Sequence, residues 1–178
     1  MASDAKKILL VEDEKAIRDA VAAYLEREGY WVVGVGDGQS AIEEFEKLIN
    51  DRTRGILICN PNNPTGYLYT RREMNRIRDM VKKYDLFLFS DEVYREFIYT
   101  GSPYISACHL EGIEQNVVLI DSVSKRYSEC GIRIGALITK NRALHDAVMK
   151  FCQARLSPPL VGQIVAEASI DAPREYHT

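Results

Sequence analysis

The stretch Gly55-Ile-Leu-Ile-Cys-Asn-Pro-Asn-Asn-Pro-Thr-Gly66 joins an apolar, β-branched run to a segment with two prolines and a glycine. The run over residues 55–59 has the length of a buried strand and is too short for a stable helix. The segment over residues 60–66 has to be irregular, because proline lacks a backbone N–H and glycine favours turns. This stretch therefore predicts a strand that ends in a polar loop.

Five further apolar runs alternate with amphipathic stretches along the rest of the chain. Such alternation is typical of β-α units around a parallel sheet, so we expect an α/β fold with helices on both faces of the sheet. The connection between the last two runs is too short for a crossover helix, and the sixth strand should therefore be antiparallel. The predicted strands cover residues 7–11, 31–35, 55–59, 86–89, 117–120 and 133–139.

A capping box predicts where one of the helices begins. Thr70 is followed three residues later by Glu73, and Met74, Ile77 and Val81 then recur at helical spacing. We expect this helix to run to about residue 84 and to bury that apolar face. The other predicted helical segments cover residues 15–28, 39–48, 91–98, 106–115, 142–156 and 158–170.

Composition limits the partners that the chain can have. The 178 residues include 23 Lys and Arg against 26 Asp and Glu, which gives a net charge of −3 and disfavours nucleic acid and anionic membranes. No apolar stretch has the length of a signal or spanning segment, and the four scattered cysteines suggest neither a zinc site nor disulfides. We therefore expect one cytoplasmic domain over residues 1–178.

Two further motifs lie at the ends of later predicted strands. They are Ser90-Asp-Glu-Val-Tyr94 and Ser122-Val-Ser-Lys-Arg-Tyr-Ser-Glu-Cys-Gly-Ile-Arg-Ile-Gly135. Together with Asn60-Pro-Asn-Asn-Pro-Thr-Gly66, and in this order, they resemble the large domain of class I aminotransferases, the fold-type-I pyridoxal-phosphate enzymes. The resemblance covers residues from about 50 to 178 and implies pyridoxal phosphate as the cofactor.

The resemblance also implies a role for each polar residue of these motifs. Lys125 would form the Schiff base with the cofactor and shuttle protons, as a partly deprotonated amine can. Asp91 would pair with the pyridinium nitrogen and keep it protonated. Asn63 and Tyr94 would hydrogen-bond the phenolic oxygen of the cofactor. The cofactor phosphate would be held by Ser122, Ser124 and Arg133, with Arg133 as a charged fork.

The first 48 residues resemble a different family. Lys7-Ile-Leu-Leu-Val-Glu-Asp-Glu14, the helix predicted after it and Gly36-Asp-Gly-Gln-Ser-Ala-Ile42 are similar to the first half of a response-regulator receiver domain. In that family the acidic pair, here Glu12 and Asp13, holds Mg²⁺ beside a phosphorylated aspartate. The acceptor position holds Asn60, or Cys59 if the register moves by one, and an amide cannot accept a phosphoryl group as a carboxylate does. A Mg²⁺-dependent signalling module is therefore an alternative that lacks its acceptor.

The two resemblances together predict an engineered fold-fragment chimera, with residues 1–48 from a receiver and residues 49–178 from an aminotransferase. Because both families share the local strand arrangement, the halves would merge into one three-layer, doubly wound sheet of flavodoxin-like order 2-1-3-4-5, with the antiparallel sixth strand at its edge. Neither site is complete, so no complete native activity is expected. The main alternative is residual binding of pyridoxal phosphate, or of phosphate or sulfate, at the aminotransferase motifs. An exposed sheet edge could also pair two copies of the chain.

Overall fold

Aliphatic and β-branched runs form the strands of this protein, and amphipathic segments form its longer helices. The computed structural model describes residues 7–12, 14–36, 44 and 46–177. Within these ranges the strands are β1 (Lys7–Val11), β2 (Trp31–Val35), β3 (Gly55–Cys59), β4 (Phe87–Asp91), β5 (Val117–Ser122) and β6 (Gly135–Ile138). The helices are α1 (Lys15–Arg27), α2 (Arg71–Tyr84), α3 (Val123–Arg126), α4 (Arg142–Arg155) and α5 (Leu160–Ala168), with 3₁₀ segments at Ala107–His109, Cys130–Ile132, Ser169–Asp171 and Arg174–His177.

Four of the strands form one sheet in the order β3-β4-β5-β6. β4 lies parallel to both of its neighbours, and the register pairs Cys59 with Asp91 and Asp91 with Ile120. β6 runs antiparallel to β5 and places Gly135 opposite Ser122. The predicted mixed α/β fold and the antiparallel sixth strand are confirmed, since the short β5–β6 connection carries only a four-residue helix and a 3₁₀ turn.

β1 and β2 form a separate two-stranded parallel sheet. The flavodoxin-like order 2-1-3-4-5 is therefore not confirmed, because no ladder joins β1 to β3 in the described part of the chain. A cavity of about 600 Å³ lies between the two sheets instead, lined by Ile8 and Leu10 of β1 and by Ile56, Leu57 and Ile58 of β3. The apolar side chains of the two strands line this space, and the facing strand edges are not hydrogen-bonded to each other.

The hydrophobic core lies between α2 and the four-stranded sheet. Met74, Ile77 and Val81 of α2 are each 0% exposed, as the spacing of apolar residues predicts. They pack with the inward side chains of the strands, including Ile56 and Leu88. Burial of these side chains supplies most of the driving force that holds α2 on the sheet.

The predicted capping box is present at the start of α2. The Thr70 hydroxyl accepts a hydrogen bond from the Glu73 N–H at 3.3 Å, and the Glu73 carboxylate accepts one from the Thr70 N–H at 2.7 Å. The Tyr67 hydroxyl donates a further bond to Glu73 at 2.6 Å. These contacts satisfy backbone donors that a helix otherwise leaves unpaired at its first turn.

Two of the predicted helical segments are shorter in the structure, and a third cannot be compared over its whole length. A helical turn is predicted within residues 91–98, and the chain forms turns with i to i+3 bonds over residues 93–96, such as Phe97 N–H to Tyr94 O at 2.8 Å. Of residues 106–115, only Ala107–His109 is helical, in a 3₁₀ turn, and Gly112 has a positive φ of 82°. The predicted helix over residues 39–48 falls largely outside the described residues.

The two C-terminal helices form where the sequence predicts them, but they bury little. α4 has no buried residue, and Gly162 is the buried residue of α5. A Cβ atom at Gly162 would lie 2.9 Å from the Ile132 carbonyl oxygen, so glycine is what allows α5 to approach the segment before β6. None of the helices in the described ranges is long and apolar enough to cross a membrane.

We expect Thr70→Ala to lower the free energy of unfolding by about 1 kcal/mol, because it removes the hydroxyl that accepts the Glu73 N–H. The expected loss is measured by urea denaturation at neutral pH. Thr100→Ala is the control, since the Thr100 hydroxyl accepts only a long bond of 3.4 Å from the Ser102 N–H. Equal stability of the two variants would contradict the assignment.

The same cap predicts a pH dependence. Burial alone would raise the pKa of the Glu73 carboxyl, but the hydrogen bonds from Tyr67 and Thr70 together hold that pKa below its ordinary value of 4.5. The folded state therefore favours the carboxylate, and its contribution is present above pH 4.5 and lost as the pH falls below that value. The stability difference between the wild type and Glu73→Gln should shrink over that acidic range.

Candidate functional site

The carboxyl ends of three parallel strands bring the three sequence motifs to one edge of the sheet. β3 ends at Cys59, β4 at Asp91 and β5 at Ser122, and the ladder registers keep these ends side by side. The loops that follow the strands therefore start next to one another, although about 30 residues separate each from the next in sequence. In an open α/β sheet this edge is where ligands bind.

Asn60 fixes the first loop from inside the protein. Its side chain is 0% exposed, its Nδ2 donates to the Ile105 carbonyl at 3.1 Å, and its Oδ1 accepts from the Tyr69 N–H at 3.1 Å. The Asn60 N–H donates to the Asp91 carbonyl at 2.9 Å, which continues the β3–β4 ladder by one residue. These contacts determine where the exposed part of the loop lies.

Asn63 and Tyr94 meet across the first two loops. The Asn63 Nδ2 donates to the Tyr94 hydroxyl oxygen at 2.8 Å, and the two residues lie 31 positions apart in sequence. The third loop reaches the same place, because the Lys125 Nζ lies 5.8 Å from the centroid of the Tyr94 ring. Three of the residues predicted for the site are thus brought together, one from each motif.

Asp91 ends β4 beside this group and is half-buried. Its Oδ1 accepts a hydrogen bond from the Val93 N–H at 3.2 Å, which turns the chain toward Tyr94. The bond is long, so it orients the carboxylate and leaves it able to accept a stronger donor.

Ser122 and Ser124 form a second polar group at the start of α3. Their hydroxyl oxygens lie 2.8 Å apart, and the Ser122 oxygen also accepts the Ser124 N–H at 3.1 Å as the helix cap. The Ser122 hydroxyl lies 3.0 Å from the Ile134 carbonyl, to which it can donate. Arg133 is exposed, has a left-handed φ of 59°, and donates to the Cys130 carbonyl at 2.9 Å. In the described part of the chain no hydrogen bond links Arg133 to the two serines.

The sequence-predicted metal pair is only partly described. Glu12 is half-buried, and its Oε1 accepts a hydrogen bond from the Glu14 N–H at 3.1 Å. The Glu12 backbone carbonyl accepts a hydrogen bond from the Arg18 guanidinium. Asp13 lies outside the described residues. Among the residues that the structure describes, no group of three or more His, Cys, Asp or Glu side chains is arranged to hold a metal ion.

The sequence motifs predict no role for the most buried charged group near the site, Glu92. Glu92 is 0% exposed, and its Oε1 accepts from the Ser90 hydroxyl at 2.9 Å and from the Ala107 N–H at 2.8 Å. Its Oε2 accepts a hydrogen bond from the Tyr104 hydroxyl. Burial and the bond to Glu92 raise the pKa of Tyr104, so the phenol keeps the proton that it donates. Glu92 stands inside the Ser90–Tyr94 motif, but nothing in the sequence indicates its partners.

The chain matches the family of class I and II aminotransferases over residues 19–178. It is 35% identical to the aromatic-amino-acid aminotransferase 2 of Thermococcus litoralis over 97 residues, which are 54% of this chain and 25% of that protein. The solved structure of the aromatic aminotransferase from Pyrococcus horikoshii aligns with 99% of this chain and 48% of its own, at a TM-score of 0.76 and 25% identity. Cystalysin from Treponema denticola, whose structure contains pyridoxal 5'-phosphate, has the same fold, with a TM-score of 0.76 and 18% identity. The alignment covers 97% of this chain and 45% of the cystalysin chain.

With the family matched over most of its length, this chain belongs to the class I and II aminotransferases. It spans less than half the length of the relatives named above.

The family match begins at residue 19, within the segment that resembles a receiver, and the solved aminotransferases align with almost the whole chain. The hypothesis of an engineered receiver–aminotransferase chimera is therefore wrong, and the cofactor-binding alternative is the better supported one.

We expect Glu92→Ala to lower the free energy of unfolding by roughly 2 to 4 kcal/mol, because it leaves the buried donors of Ser90 and Ala107 and the half-buried hydroxyl of Tyr104 without their acceptor. Urea denaturation measures the loss. Glu111→Ala is the control, because Glu111 is exposed. Equal midpoints for the two variants would show that the buried carboxylate does not organise this loop.

Proposed function

We propose that this chain carries the pyridoxal-phosphate-binding part of an aminotransferase site, and that the whole protein transfers amino groups between amino acids and 2-oxo acids. The observation that supports it most is the meeting of Asn63, Tyr94 and Lys125, one residue from each motif loop. The family membership supports the cofactor and the reaction class.

The residues present fit this cofactor chemically. Lys125 is exposed and not engaged in an ion pair in the described structure, so its amine is open to a carbonyl compound in solution. Asn63 and Tyr94 supply an amide and a hydroxyl beside it, and Asp91 supplies a half-buried carboxylate. The paired hydroxyls of Ser122 and Ser124 can donate to a phosphate oxygen.

Each side chain then has a task in the proposed reaction. Lys125 Nζ holds the cofactor and moves a proton at the α-carbon of the substrate. Asp91 holds a proton on the ring nitrogen, and Asn63 and Tyr94 orient the phenolic oxygen. Ser122 and Ser124 hold the phosphate, and the family resemblance adds Arg133, whose guanidinium bonds the Cys130 carbonyl in this structure. When bound, pyridoxal phosphate supplies an electron-withdrawing ring that stabilises negative charge on the substrate carbon.

We also propose that the open edge of the sheet pairs with a second copy of the chain. β6 is the last strand in the sheet order, and its Leu137 and Ile138 are 44% and 45% exposed. An antiparallel edge can pair with itself around a two-fold axis. Sedimentation equilibrium of the wild type and of Leu137→Lys tests this pairing.

The cofactor proposal is tested by incubating the chain with pyridoxal phosphate, reducing with borohydride and mapping the modified lysines by peptide mass spectrometry. We expect Lys125 to be modified well ahead of Lys140 and Lys150, because neighbouring groups orient the cofactor there. Tyr94→Phe should reduce this preference, since it removes the hydroxyl and keeps the ring.

Two controls make the result specific. Lys125→Arg keeps the positive charge and removes the reactive amine, so only background modification should remain. Pyridoxal without its phosphate should show a smaller preference for Lys125 if the serines hold the phosphate. Equal modification of Lys125 and the other exposed lysines would contradict the proposal.

A further inference from the structure

Four charged side chains form a closed ring behind the loop that carries Lys125. Asp121 Oδ2 lies 2.9 Å from Arg95 Nη2 and 3.1 Å from Arg126 Nη2. Glu96 Oε1 lies 3.3 Å from Arg126 Nε and 3.7 Å from Arg95 Nε. Two positive and two negative groups therefore alternate around the ring, which we call the four-charge ring.

The four-charge ring links the residues next to the candidate site. Arg95 and Glu96 directly follow Tyr94, Arg126 directly follows Lys125, and Asp121 directly precedes Ser122. The ring thus joins the turn after β4 to the end of β5 and to α3. A movement of either segment away from the other would separate opposite charges.

The Asp121–Arg126 pair of the ring is more protected from water than the ion pairs outside the ring in the described part of the chain, while the side chains of Arg95 and Glu96 are 26% and 37% exposed. The side chains of Asp121 and Arg126 are 15% and 14% exposed, whereas those of the Arg142–Asp146 pair on α4 are 84% and 53% exposed. Exposed pairs contribute little because water and salt screen them, and partly buried pairs are screened less. The Asp121–Arg126 pair therefore lies where water and salt screen its attraction less.

α3 needs such an anchor. It is four residues long, and a helix of that length is not stable by itself. Two of the contacts that hold it are the Ser122 cap at its first turn and the pair of bonds from Arg126 Nη2 to the Asp121 carboxylate at 3.3 and 3.1 Å. Lys125 lies between these two anchors, and its Nζ is directed to the Tyr94 ring.

We propose that the four-charge ring is a positioning device that holds Lys125 against Tyr94, with Arg126 as its central residue. The proposal rests on the proposed cofactor-binding function, because it specifies what makes the Lys125 amine the preferred one. Arg126 acts through its neighbour and does not itself touch the cofactor. Its forked guanidinium can bond Asp121 and face Glu96 at once, which a lysine ammonium on a single flexible stem cannot do in the same way.

The test compares the preference of pyridoxal phosphate for Lys125 over Lys140 in the wild type and in Arg126→Met. We expect the preference to fall roughly tenfold in Arg126→Met, because small displacements of a reacting group reduce its reactivity steeply. Arg126→Lys should restore part of it by keeping the charge. Arg142→Met, which breaks an exposed pair of the same type, should leave it unchanged.

A second measurement needs no cofactor. In NMR spectra of the free protein, the Lys125 side-chain methylene signals should be shifted by the ring current of Tyr94, and the shift should shrink in Arg126→Met and in Tyr94→Leu. If Arg126→Met does not fold, Arg126→Lys and Asp121→Asn carry the same comparison, with folding checked by dispersion of the amide signals.

The outcomes separate this proposal from the proposed function. A wild type that prefers Lys125, with an unchanged preference in folded Arg126→Met, overturns the positioning role and leaves cofactor binding intact. A wild type without any preference overturns the proposed function, and the ring-current shift then decides whether Arg126 positions Lys125. Equal shifts in the wild type and Arg126→Met overturn the positioning role in either case.

Discussion

The parallel register of β3, β4 and β5 carries three loops to one edge of the sheet, and each loop holds a different part of the candidate site. Main-chain ladders set the spacing of the strand ends, with Cys59 beside Asp91 and Asp91 beside Ile120. The loops could still point in many directions from there. Buried polar groups determine those directions: Asn60 for the first loop and Glu92 for the second.

These buried groups act because an unmade hydrogen bond in the interior is costly. Asn60 and Glu92 are each fully buried, and each bonds to the segment over residues 105–107, Asn60 through the Ile105 carbonyl and Glu92 through the Ala107 N–H. Moving either loop would leave donors or acceptors unpaired at 0% exposure. The third loop lacks an equivalent buried group, and the Ser122 cap and the four-charge ring hold it instead.

Local patterns in the sequence predict the parts of this protein that depend on near neighbours. The capping box of Thr70 and Glu73 and the buried face of α2 were predictable because three or four residues decide them. The antiparallel β6 was predictable because the chain before it is too short for a crossover. The partners of Glu92 and Arg126 were not, since Tyr104, Ala107 and Glu96 are brought to them only by the fold. The pairing of β1 was predicted from shared family arrangements, and the structure leaves a cavity where that pairing was expected.

The proposed function requires that the three motif loops form one binding site. Hydrogen exchange measured by mass spectrometry, with and without pyridoxal phosphate, tests this directly. We expect exchange of the amides in residues 60–66, 91–97 and 122–127 to slow together and over the same range of cofactor concentration, while exchange of the α4 amides does not change. Protection confined to a single loop, or spread evenly over the chain, would contradict it.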